Sequence, residues 1–128
     1  MAASMDGRIA VVTGGTQGLG EATARLFAER GASGLVICGR NAGRGEAVAS
    51  DISAQGCKTI FVRADLGDLD QCRTVVAAAD KSFGRVDTLV NAAAITDRGT
   101  ILDTSPELFD TMFAVNVRAP FFLIQDAA

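Results

Sequence analysis

Thr13-Gly14-Gly15-Thr16-Gln17-Gly18-Leu19-Gly20 is the stretch on which the fold turns. It follows Arg8-Ile9-Ala10-Val11-Val12-Thr13, a short β-branched run of the kind buried on both faces of a sheet. It opens a helical pattern over residues 18–30, with Ala22, Leu26 and Phe27 expected on the apolar side and Gly31 as the stop. Glycines between a strand and a helix let the backbone come close to an anion such as a pyrophosphate. The free N–H groups and the positive dipole end of the helix then face the charge. Two related loops fail letter by letter. A P-loop needs Lys where Glu21 stands, and G-x-G-x-x-G needs Gly where Thr23 stands. The pattern that remains is G-x-x-x-G-x-G across Gly14, Gly18 and Gly20.

Outward from this loop, apolar runs and helical patterns alternate. Residues 35–38 read as a second strand, 42–55 as a helix with Val48 and Ile52 on one face, and 59–62 as a third strand. Over 68–83, Leu69, Cys72, Val76, Ala79 and Phe83 draw one apolar stripe, closed by Gly84. Residues 86–90 form a fourth strand, and a loop covers about 95–104. Ser105-Pro106 then opens a long helix as N-cap and first residue, carrying Leu108, Phe109, Met112, Val115, Phe121, Phe122 and Leu123. Four successive strand–helix units predict an α/β fold with a parallel sheet and right-handed crossovers.

Composition bounds the rest. The 128 residues make a single domain over 1–128, a little under the roughly 150 residues of an average one. Twelve basic against fifteen acidic residues leave a net charge of −3, which argues against a nucleic-acid partner. With 48% hydrophobic and 21% charged residues, the chain is globular rather than disordered. There is no His, Tyr or Trp, so a Ser-His-Asp or Cys-His site, a His-ligated metal and a Tyr general acid are all excluded within these residues. Cys38, Cys57 and Cys72 form no C-x-x-C pair. They read as reduced thiols of a cytoplasmic protein, with no metal site. No apolar run reaches the ~18 residues of a membrane span. Met1 to Asp6 lack the features of a signal peptide and read as a short disordered lead.

Taken together, the motifs resemble the short-chain dehydrogenase/reductase family. Its T-G-x-x-x-G-x-G is present in full from Thr13 to Gly20. The likeness continues through Ala64-Asp65-Leu66, Leu89-Val90-Asn91-Ala92-Ala93-Ala94 and Ala114-Val115-Asn116-Val117, in the family's order and intervals. The resemblance implies a Rossmann-type doubly wound sheet with strand order 3-2-1-4. It implies a nicotinamide dinucleotide cofactor and hydride transfer between a carbonyl and an alcohol, with a small molecule as substrate. It also implies a homo-oligomer, a dimer or tetramer. The cofactor would lie along Gly14, Thr16, Gln17, Gly18, Leu19 and Gly20. Arg40 and Asn41 would follow at the second strand end, Asp65 and Leu66 at the adenine, and Asn91, Ala92 and Ala93 at the fourth strand end. Asn116 matches the family's catalytic Asn, whose backbone anchors a proton-relay water.

There are departures. The family's N-N-A-G is here Asn91-Ala92-Ala93-Ala94, which loses a side-chain amide and a flexible glycine. The family's Ser and Y-x-x-x-K come after the tetrad Asn, whereas this sequence stops twelve residues beyond Asn116 inside a helical pattern. The domain is therefore expected to be incomplete at its C-terminal end, and these residues alone to be inactive; a non-catalytic dinucleotide-binding module or a truncated fragment is the alternative. Cofactor choice is read where the second strand ends, at Cys38-Gly39-Arg40-Asn41. Gly39 stands where NAD-selective sites place an acid, and Arg40 follows with a guanidinium suited to phosphate. NADP(H) is expected to be preferred, with NAD(H) possible. Gln17 stands where many NADP-binding relatives carry a second basic residue.

Overall fold

The computed structural model describes residues 4–128. Four strands alternate with helices: Ile9–Thr13 (β1), Gly18–Glu29 (α1), Gly34–Gly39 (β2), Ala42–Ala54 (α2), Lys58–Arg63 (β3), Leu69–Phe83 (α3) and Thr88–Asn91 (β4). Pro106–Phe113 (α4) then runs through a π-helical turn, Ala114–Arg118, into Ala119–Ala127 (α5). The strands form one parallel sheet in the order β3-β2-β1-β4. This is the Rossmann-type α/β arrangement read from the sequence.

The two-residue period of a strand explains why β1 and β2 are almost wholly apolar. Val11 and Val36 face one side with Cys72, Val75, Val76 and Ala79 of α3 and Leu123 of α5. Their neighbours Val12, Leu35 and Ile37 face the other, with Ala24 of α1 and Val48 and Ile52 of α2. The helices lie in two layers, so every residue of β1 is buried. Asn41 caps α2 and Asp68 caps α3, while Gly84 closes α3 in the left-handed conformation. Ser105 caps α4, and Pro106 follows as its first residue.

Several details correct the sequence reading. On α1 the buried residues are Gly20 and Ala24. Ala22 and Leu26 face solvent, and only Phe27 of the expected set packs against the core. The fourth strand begins at Thr88, two residues later than expected, because Asp87 is occupied in binding Ile9. Part of the proposed lead is ordered: Met5 donates its N–H to the Arg30 carbonyl at 2.9 Å and packs against the core. Met1 to Ala3 lie outside the described residues.

The long helix from Pro106 is not continuous. Ala119 donates to the carbonyl of Ala114, five residues back. The next residue is Pro120, which has no N–H and whose ring clashes with the carbonyl four residues earlier, that of Asn116. An extra residue in the turn relieves the clash, and the Asn116 carbonyl loses its α-helical donor. Among the described residues no helix is long and apolar enough to cross a membrane. All three cysteines are free and buried.

Candidate functional site

The C-terminal ends of the parallel strands open into a cavity of about 750 Å³. This is the end of an open α/β sheet where loops meet and ligands bind. One wall is the glycine loop. Gly14 and Gly18 take φ of +64° and +55°, in the left-handed region. A Cβ on Gly20 would lie 2.0 Å from the Gly14 carbonyl oxygen, so close packing of the loop on α1 requires glycine there. A Cβ on Gly18 would meet nothing within 4 Å, and the residue lines the cavity. The two glycines therefore serve different ends: one closes the loop, the other leaves room in front of it.

The N-terminus of α1 differs from the other helices that open at this edge. Asn41, Asp68 and Ser105 each accept a backbone N–H with their side chains, whereas Gln17 forms no cap hydrogen bond. Helix N–H groups without a side-chain acceptor, at the positive end of the dipole and beside a roomy glycine, fit an anion. The loop itself is fixed from behind. Gly15 donates to the Cys38 carbonyl at 3.3 Å, and buried Thr13 accepts the Ala93 N–H at 3.2 Å on its hydroxyl. Burial pushes the Cys38 thiol up to about 12, so it stays protonated and inert beneath the loop.

At the end of β3, Ala64 donates to the Gly39 carbonyl, tying that corner to β2. Asp65 is exposed; its carboxylate accepts the Gly67 N–H at 2.9 Å, and its own N–H donates to Gln71 Oε1 at 2.8 Å. At the far side, Asn116 binds the chain beyond β4 with both ends of its amide. Its Oδ1 accepts the Ile95 N–H at 2.9 Å, and its Nδ2 donates to the Ile95 carbonyl at 2.8 Å. The π-helical turn is also held from the other direction, since Arg118 Nη2 donates to the Gly67 carbonyl at 2.6 Å.

The cavity lining takes in every site residue expected from the sequence except Asn91 and Asn116. Asn91 is exposed at the end of β4, beside Thr13 in register. Asn116 sits behind the loop that it braces. Sequence reading missed Arg44, Val115 and Arg118, which also line the cavity. Arg44 had a signal of its own: it stands in the first turn of α2, where a cation opposes the helix dipole. Pro120, four residues after Asn116, was the corresponding signal for the π-helical turn.

Comparison with known proteins follows the same geometry. The sequence model of the short chain dehydrogenase family matches residues 8–128. Versicolorin reductase 1 of Aspergillus parasiticus is 36% identical over 123 residues, covering 96% of this chain and 47% of that protein. The chain thus spans about half the length of the curated relatives it matches. A blue fluorescent protein from a metagenomic library, solved in complex with NADPH, superposes with a TM-score of 0.92 at 33% identity, over 98% of this chain and 51% of its own. A short chain dehydrogenase/reductase from Burkholderia phymatum, solved in complex with NAD, has a TM-score of 0.90 at 29% identity, over 98% of this chain and 44% of its own.

Proposed function

This chain belongs to the short-chain dehydrogenase family, and from that premise we propose that it is the cofactor-binding part of an NADP(H)-preferring oxidoreductase acting on a small carbonyl or alcohol substrate. The observation that carries the reading is the uncapped N-terminus of α1 behind an open Gly18, at the mouth of the cavity. There the loop N–H groups bind the pyrophosphate. Asp65 and Leu66 bound the adenine pocket at the end of β3. Ala92 and Ala93, and Asn91 beside them, border the nicotinamide end. When bound, the nicotinamide supplies or accepts the hydride.

Asn116 acts as a brace and as a carbonyl. Its side chain fixes Ile95, and Pro120 leaves its backbone oxygen without an α-helical partner, suited to hold a relay water. The proton donor is a Tyr assisted by Ser and Lys, as in the family; no Tyr or His occurs in these residues, and they are expected to be inactive by themselves. Homo-oligomerisation is supported by Phe109, Phe113, Val117, Phe121 and Ile124, each more than half exposed along α4, the π-helical turn and α5. A cytoplasmic location agrees with three free thiols.

The test is a pair of titrations with NADPH and NADH at one fixed salt concentration. Arg40 lines the cavity at the end of β2 with no acidic partner among the described residues. A charge-assisted contact is worth about 1.5–3 kcal/mol, so Arg40→Ala should weaken NADPH by roughly 10- to 150-fold and change NADH little. Tighter NADH binding by the parent, or equal losses for both, would refute the NADP(H) reading.

A further inference from the structure

Asn116 and Arg118 stand two residues apart in the π-helical turn, and residues so spaced on a helix do not share a face. They reach different walls of the cavity. Asn116 holds Ile95 with both ends of its amide, and Arg118 Nη2 donates to the Gly67 carbonyl at 2.6 Å. Gly67 follows β3 and Ile95 follows β4, the strands at the two edges of the sheet, and both residues line the cavity. One short turn is therefore bonded to the segments beyond both outer strands.

The segment after β3 is otherwise held by its own neighbours. Asp68 donates to the Asp65 carbonyl at 3.0 Å, Gly67 to the Asp65 carboxylate, and Asp65 to Gln71 Oε1. The Leu66 carbonyl accepts from Cys72 Sγ at 3.2 Å. Burial pushes that thiol up, so it keeps the proton that it donates. The next carbonyl, that of Gly67, accepts from outside this unit, from Arg118. A Cβ on Gly67 would lie 3.7 Å from Val115 Cγ2, so the π-helical turn also packs here. Asp65, Asp68 and Asp110 line the same cavity, yet among the described residues Arg118 forms no ion pair with any of them. Its guanidinium ends on a neutral carbonyl, a bond that fixes backbone position rather than neutralising charge.

We infer that Arg118 is a positioning residue: it sets the wall of the adenine pocket at Leu66 and Gly67 and, through the π-helical turn, couples that wall to Ile95 at the nicotinamide end. The inference rests on the cofactor reading above, which puts the adenine beside Asp65 and Leu66. Ordering of the segment after β3 is transmitted to the segment after β4, so the adenine half of the ligand prepares the site of the other half.

The probes are adenosine and 5′-AMP, which differ in charge but share the base and need no turnover. Each is titrated into the purified protein by amide chemical shifts, and hydrogen exchange is measured with and without adenosine. Arg118→Ala should weaken both ligands equally, by about fivefold, the size of one net hydrogen bond. Arg118→Lys keeps a donor and should stay within about twofold of the parent. In the parent, adenosine should slow exchange over residues 65–68 and also over 92–104; in Arg118→Ala the second effect should disappear. Arg118 is exposed, and Arg118→Met, which keeps the aliphatic stem without the donors, repeats the test if the Ala variant does not fold. A loss confined to 5′-AMP would make Arg118 a phosphate contact and overturn the inference, as would unchanged affinities. Protection over 92–104 that survives in Arg118→Ala would overturn the coupling. A parent in which adenosine gives no protection over 65–68 would overturn the cofactor reading itself.

Discussion

β1 and β4 lie side by side in register, but they end in differently built regions. β1 has a hydrogen-bonded neighbour on each side and is buried throughout; among the described residues β4 pairs with β1 alone, and it is only half-buried. Beyond β1, the glycine loop takes its shape from the backbone, through positive φ at Gly14 and Gly18 and contacts too close for any side chain. Beyond β4, residues 92–104 have no regular structure apart from a turn, and a side chain from elsewhere, Asn116, holds them. A site formed by backbone under a covered sheet is rigid and tolerates little substitution. One held by side-chain clamps beside a half-open strand depends on a few separable bonds.

The comparison is broken most severely within the glycine loop. Gly20→Ala places a Cβ against the Gly14 carbonyl oxygen, and overpacking against backbone should cost about 3 kcal/mol in denaturant unfolding. Gly18→Val places its side chain in open space, so its structural cost is the left-handed backbone, about 1–2 kcal/mol. Its ligand cost is larger: dinucleotide binding in a fluorescence titration should be lost. Affinity within threefold of the parent would show that Gly18 does not border the pyrophosphate.

A smaller effect belongs to the clamp. Asn116→Ala removes both bonds to Ile95, at about 1 kcal/mol each. Hydrogen exchange should accelerate over residues 92–104 and remain unchanged over 14–20. Acceleration in both segments would mean that the two regions are one cooperative unit.

The smallest effect lies at the opposite end of the same strand pair. Asp87 accepts the Ile9 N–H at 2.8 Å and pairs with Arg85, and these two contacts, in that order, hold its carboxyl below the ordinary value of 3.8. A depressed folded pKa stabilises the protein above the unfolded value, and the contribution disappears as pH falls through the folded one. Thermal melts from pH 7 to pH 2 should therefore show Asp87→Asn less stable than the parent at neutral pH. The gap should begin to narrow below about pH 4 and close as the pH falls through the depressed folded value. A gap that is independent of pH would assign the effect to packing.

Strand and helix positions, the Ser105 cap and the glycine loop were legible in the sequence because each depends on neighbours within a few residues, whereas the strand order came from the family resemblance. The continuous apolar run of β1, Ser105 ahead of its helix, and glycine where the backbone must turn left-handed are local chemistry. The apolar face of α1 was less legible, since Ala22 and Leu26 satisfy the same helical spacing as the buried Gly20 and Ala24. A helix whose closest approach to the sheet uses glycine and alanine hides its contact face from any hydrophobicity pattern.

Residue types alone thus determined that this chain is a parallel α/β domain with a glycine-rich loop after its first strand. Only the tertiary structure decided that Arg44 crosses to Gln17, that Asn116 holds Ile95, and that Arg118 reaches Gly67. Each of these joins residues 21 to 51 positions apart. Such pairs form only when the sheet register and helix packing bring a side chain within about 3 Å of its distant partner, a geometry that no local pattern encodes.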